Sequence, residues 1–231
     1  MCDKYDKQSN KIFFLQALSE AYYNVSNYSE ALKITFEAIK ICENSNDSVE
    51  LSSFYNNLGS IYRVSGKLKE SNKYHRKALD ICLKLKDTVG IASSYNNIGI
   101  GYMMEAKYDT GMSYWAKSLE MKLSTGDSVG AATTMNNMAM YYRDIGQTEK
   151  ALDFYSQVLR IKQNIQDHAS ISMAYLNLGE LFYQKEAYEK SLDYYKKALK
   201  EAELSKGKQL ISHAYFRLSE TYYAKKDYKL A

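Results

Sequence analysis

The chain repeats itself every 40 residues. Leu18, Leu58, Ile98, Met138, Leu178 and Leu218 stand at that interval, and Ser19, Gly59, Gly99, Ala139, Gly179 and Ser219 follow them one position later. Tyr22, Tyr62, Tyr102, Tyr142, Phe182 and Tyr222 form a third row, and no insertion disturbs the phase across 231 residues. A period of this size means one supersecondary unit used many times. Such a unit cannot bury its apolar face alone, so the units must stack.

Within each repeat the pattern is helical. Tyr55, Leu58, Gly59 and Tyr62 follow the i, i+3, i+4, i+7 spacing of one helix face. Gly66 follows, as glycine does just past a helix end. A second apolar stripe carries Leu68, Ser71, Tyr74, Ala78, Leu79 and Cys82. Asp47 precedes the first helix with Glu50 three residues on, a capping-box spacing, and Asp87, Asp127 and Asp167 hold the same phase. These signals predict a first helix (A) over about 48–65 and a second (B) over about 67–85, repeated along the chain. Gly59, Gly99, Ala139 and Gly179 would let A and B cross closely, with the Tyr22-to-Tyr222 row filling the space beside them.

The fold class expected is therefore all-α, a right-handed superhelical solenoid of antiparallel helix hairpins. It would be a single domain over 1–231, with repeats near 8–47, 48–87, 88–127, 128–167 and 168–207 and a partial one at 208–231. The termini read as cut. MCDKYD resembles the tail of a B helix, and KKDYKLA the first turn of another, so the chain is expected to be a window on a longer protein.

Composition narrows the function. Hydrophobic residues make 45% and charged residues 25%, proline is absent, and the net charge is only +4 with both signs interspersed. That speaks against a surface for nucleic acid or anionic membrane. No apolar run reaches the roughly 18–20 residues of a membrane span. The three cysteines lack CxxC spacing, and Cys2, Cys42 and Cys82 share one repeat phase too far apart for disulfides. His75, His168 and His213 occupy different phases and form no metal-binding pair. No glycine-rich phosphate loop is present. No catalytic residue, metal or cofactor is expected.

Paired asparagines recur instead, as YNNLGSIY, YNNIGIGY and MNNMAMYY. Asparagine is a poor helix former. Advancing ~100° per residue from Tyr55 puts Asn57 about 200° away, almost opposite the core stripe, and Asn56 about 100° away, on the flank that meets a neighbouring repeat. Asn97, Asn137 and Asn177 share the outward phase of Asn57, followed by Arg217. Ile100, Met104, Met140 and Met173 share that face and suggest an adaptable apolar floor. Arg63 and Arg143 flank it at one phase and could meet acidic groups.

Leu58-Gly59, Tyr62, Gly66, Leu68, Ser71 and Ala78 stand at signature positions of the tetratricopeptide repeat. Ile98-Gly99, Tyr102, Tyr108, Gly111 and Ser118 do so again, as do Leu178-Gly179, Phe182, Tyr188, Ser191 and Ala198. The chain resembles that family over nearly its whole length, with 40 residues in place of the common 34 and no proline closing helix B. It resembles the long repeats of kinesin light chains and Pins scaffolds, and the sensor regions of bacterial histidine kinases, transcription regulators and quorum-sensing peptide receptors. The resemblance implies that helix A lines a groove and that outward asparagines contact the backbone of a bound peptide. A carboxamide offers both a donor and an acceptor for that purpose. A solvated polar face, or asparagines bridging adjacent A helices, remains the alternative for both rows. The carboxylate clamp of chaperone-binding relatives is absent, since Gln16 and Glu20 stand in its place.

The function expected is a protein- or peptide-binding scaffold, the sensory or regulatory module of a larger bacterial signalling protein, a two-component system being one setting. The alternative is a structural self-association module, a homo-oligomer through uncapped ends. The compartment expected is the cytoplasm, or the periplasm if a sensor kinase carries the repeats.

Overall fold

The computed structural model describes residues 2–45 and 47–226. Among them are eleven helices and no strand: α1 Cys2–Asn24, α2 Tyr28–Ser45, α3 Ser48–Val64, α4 Leu68–Leu85, α5 Thr88–Met104, α6 Tyr108–Ser124, α7 Ser128–Asp144, α8 Thr148–Asn164, α9 His168–Tyr183, α10 Tyr188–Leu204 and α11 Lys208–Ala224. Odd and even helices are the expected A and B helices. They form two compact units, Met1–Gly126 and Asp127–Ala231.

The start departs from expectation. α1 runs unbroken from Cys2, so MCDKYD is not a separate helix tail. Lys7 stands at the phase where Asp47 and Asp87 cap their helices, and nothing there stops the helix. The first turn of a further B helix expected within KKDYKLA falls mostly outside the described residues.

The recurring aspartates cap as the spacing implied. Asp47, Asp87, Asp127 and Asp167 accept the backbone N–H of Glu50, Gly90, Gly130 and Ser170 at 3.3, 3.0, 2.8 and 3.1 Å. Each satisfies an otherwise orphaned donor at a helix start. The turns between helices place one residue in the left-handed region. Gly66 fits it at φ +75, whereas Ala106 occupies the same phase at φ 57.

Packing inside the hairpins adds a second row of side chains to the one expected beside the small residues. Gly59, Gly99 and Gly179 are covered by His75, Trp115 and Tyr195 of their B helices, and Ala139 clusters with Tyr155. A Cβ on Gly59 would lie 2.6 Å from the His75 ring, one on Gly99 2.5 Å from Trp115, and one on Gly179 2.4 Å from Tyr195. Tyr62 and Tyr102 stack on Tyr74 and Tyr114, with centroids 5.5 Å apart in both pairs.

In the first unit one core cluster joins α1 to α4 through Leu15, Ile39, Phe54, Leu58 and Ala78, and another joins α4 to α5 through Leu79, Cys82, Ile91 and Ile98, with Tyr114 and Met121 of α6 packed against it. In the second unit Ala139, Tyr155, Leu178 and Leu181 form one cluster, and Leu176, Tyr195, Ala214 and Leu218 the next. Cys42 and Cys82 are free and buried, and burial pushes the Cys42 thiol up to about 11, far from reactive thiolate.

Candidate functional site

The two asparagines of each pair do different work. In the first unit the Asn56 carboxamide donates to Ser94 Oγ on α5 at 3.2 Å, while its Oδ1 accepts from His75 Nδ1 on α4 at 2.9 Å. One side chain therefore ties three helices and two repeats together. Asn96, at the same phase, is buried. The Trp115 indole donates to its backbone carbonyl at 3.1 Å. Asn56 is half-buried, and its two side-chain hydrogen bonds, which an apolar residue could not make, offset its poor helix propensity.

Asn57 and Asn97 are half-buried on the outward faces of α3 and α5. Neither makes a hydrogen bond to another described residue, and neither carboxamide is sealed from solvent. Asn57 opens into a cleft of about 240 Å³ lined by Ser19, Glu20, Tyr23, Asn24, Ser60 and Ile61. Ile100 is half-buried on α5 and Met104 is exposed at its end. Arg63, in the last turn of α3, lies close enough for its charge to help lower the His75 pKa, and its Nε is buried and unpartnered.

The second unit uses the same positions differently. Asn177 donates to Asn136 Oδ1 at 2.9 Å and so bridges α9 to α7. Here the outward asparagine serves as a tie, one of the two roles its phase allowed. Asn137 is half-buried on α7 and also engaged. Arg143 is held by Asp144, at 2.9 and 2.8 Å from one carboxylate oxygen. Arg217 pairs with Glu180 at 3.3 Å and Glu220 at 3.0 Å. The Tyr195 hydroxyl also donates to Glu180, at 3.2 Å. Met140 and Met173 are exposed, and Met173 lines a cleft of about 190 Å³ beside Asn136 and Asn177.

On the outward faces of its A helices the first unit offers the unengaged carboxamides of Asn57 and Asn97 with the exposed Met104 thioether, and the second unit, by itself, offers the exposed Met140 and Met173. Among the described residues no cluster of His, Cys, Asp or Glu could hold a metal. No helix of the described residues is long and apolar enough to cross a membrane. The sequence pattern singled out the asparagine rows. It missed the row His75, Trp115, Tyr155 and Tyr195, whose signal was its constant offset of 16 from Gly59, Gly99, Ala139 and Gly179.

Known proteins agree with this architecture. No curated protein sequence matches the chain. Among solved structures, a Rap protein complexed with Competence and Sporulation Factor superposes with a TM-score of 0.80 at 14% identity, covering 95% of this chain and 65% of that one. BtubC (BKLC) from P. vanneervenii gives 0.69 at 19% identity, covering 84% and 80%. A signal transduction ATPase with numerous domains and a tetratricopeptide repeat sensor, from Pyrococcus horikoshii, gives 0.69 at 20%, covering 93% of this chain and 34% of that one. Likeness at such identities speaks to the fold alone. Tetratricopeptide repeat models match residues 52–85, 90–164 and 174–210. With these matches set on hairpins whose small residues and rings recur every 40 positions, the chain belongs to the tetratricopeptide repeat family.

Proposed function

We propose that the chain is a non-catalytic binding module that holds an extended peptide or protein segment on the outward faces of its A helices, as the sensory or regulatory part of a larger bacterial signalling protein. One observation carries the reading: Asn57 and Asn97 present unengaged carboxamides at the same phase of adjacent A helices. Packed helices lie ~8–10 Å apart, and an extended chain covers that distance in about three residues. Two asparagines can therefore meet two backbone amides of one strand. Ile100 and Met104 supply apolar contact beside them. The Rap structure, complexed with Competence and Sporulation Factor, supports such a role for a fold of this kind. A displayed library of random nonapeptides, selected on the immobilised protein, tests it. Enriched sequences that bind in solution are expected; failure to enrich any would contradict it.

Self-association is the second reading, favoured by exposed aromatics. Tyr215 on α11 is 55% exposed at the phase where Tyr55 is 8% exposed, and Phe13 and Phe14 are exposed on α1. Light scattering across concentration separates the readings: a monomer at all concentrations rules out the second.

A further inference from the structure

The B helices differ sharply in charge at four positions that share one outer face. α4 carries Lys69, Lys73, Arg76 and Lys77 there, all exposed. The matching positions of α8 are Glu149, Asp153, Ser156 and Gln157, and those of α2, α6 and α10 carry no net charge. Like charges at i, i+4 and i+8 repel along a helix, and Lys69 lies in the first turn, where the helix dipole disfavours a cation. Lys73 and Lys77 rest on the Tyr74 ring, Lys77 also on Tyr55, and Arg76 lies over Tyr102, so aromatic contacts hold three of these cations on the outer face while all four stay exposed.

The face is one wall of a cleft of about 750 Å³ between α4 and the end of α5, closed on the other side by Tyr102, Glu105 and Lys107. Its groups are set in place. Arg76 donates to the Tyr102 hydroxyl. Asn72 donates to Glu105 at 2.9 Å, and Lys107 pairs with the other Glu105 oxygen at 2.7 Å. That pair neutralises the far wall and leaves the α4 cations facing one exposed carboxylate, Asp80.

We propose that this cleft, on the opposite side of the hairpin from Asn57, is a second docking site in the first unit that takes a short acidic segment of a partner protein. Charge complementarity sets the occupant. The cationic column from Lys69 to Lys77 is about 12 Å long, the reach of roughly four extended residues. Asp80 closes one end and Asp109 follows on α6, so the positive field does not continue. A nucleic-acid strand needs a track that runs on along its phosphates; a four-residue acidic stretch does not.

Fluorescein-labelled hexaglutamate, hexaglutamine and hexathymidylate, titrated by anisotropy at low and physiological salt, test the site. Hexaglutamate is expected to bind at least tenfold more tightly than hexaglutamine, and more tightly than hexathymidylate, weakening as salt rises. Lys69→Glu/Lys73→Glu, surface changes monitored by circular dichroism, should lose at least tenfold in hexaglutamate affinity and gain binding to hexalysine. Asn57→Ala/Asn97→Ala should bind hexaglutamate as the wild type does, which keeps this site separate from the proposed peptide face. Equal hexaglutamate binding by the charge-reversed variant would overturn the proposal. So would tighter binding of hexathymidylate, or a wild-type dimer that dissociates on charge reversal and so makes a second copy the occupant.

Discussion

Asn177 donates to the carboxamide oxygen of Asn136 at 2.9 Å, joining α9 to α7. Asn57 holds the same phase as Asn177 and joins nothing among the described residues. The same residue at the same position of the repeat is thus structural in one unit and available in the other. A double-mutant cycle on Asn136→Ala and Asn177→Ala, read by chemical denaturation, should show a coupling of about 1 kcal/mol. Asn57→Ala should change stability by less than about 0.5 kcal/mol. A larger loss at Asn57 would mean that it too holds repeats together.

His75 should make stability depend on pH. Burial, reinforced by the neighbouring Arg63, lowers its pKa to about 3. The folded protein keeps the ring neutral while the unfolded chain protonates it near 6.5. The contribution is therefore full above pH 6.5 and is lost as pH falls from there toward about 3, with a slope of at most about 1.4 kcal/mol per pH unit. His75→Tyr places the residue found beneath Gly179 beneath Gly59. Its unfolding free energy, measured between pH 7 and pH 4, should fall less steeply than that of the wild type.

Asp167 should show a narrower pH effect. Hydrogen bonds from Ser170, helped by Lys162, hold its carboxyl below the usual range. Its stabilisation is present above the unfolded carboxylate pKa and disappears as pH falls through the lowered folded value. Asp167→Ala should cost about 1 kcal/mol at pH 7, and the difference from wild type should shrink in acid.

Ala106 sits at φ 57 where Gly66 and Gly146 hold the same phase. A left-handed non-glycine residue costs about 1–2 kcal/mol, partly offset by the greater chain entropy of glycine in the unfolded state. Ala106→Gly should stabilise by about 0.5–1 kcal/mol, visible as a rise in Tm.

The sequence carried the fold because one signal was repeated. Helix A was expected over about 48–65 and α3 is Ser48–Val64; helix B was expected over about 67–85 and α4 is Leu68–Leu85. The capping aspartates stated the starts and the period averaged out local noise. The start of α1 was not legible in the same way, because an expected break depended on a cap that Lys7 cannot supply. Angles around a helix gave the direction of Asn56 and Asn57, but not what they meet. That depends on neighbours brought from ~40 residues away: Ser94 reaches Asn56, and Asn136 reaches Asn177. Nor could position alone separate Arg143, held by Asp144, from Arg63, whose following residue is Val64.

In the proposed function Asn57 and Asn97 hold a peptide backbone. This is tested most directly by isothermal titration of a library-selected nonapeptide against the wild type and two double variants, each confirmed folded by circular dichroism. Asn57→Ala/Asn97→Ala should weaken binding by about 1–3 kcal/mol, roughly five- to 150-fold, and Asn136→Ala/Asn177→Ala should lower stability with little change in affinity. Unchanged affinity in Asn57→Ala/Asn97→Ala would mean that these two carboxamides do not hold the peptide.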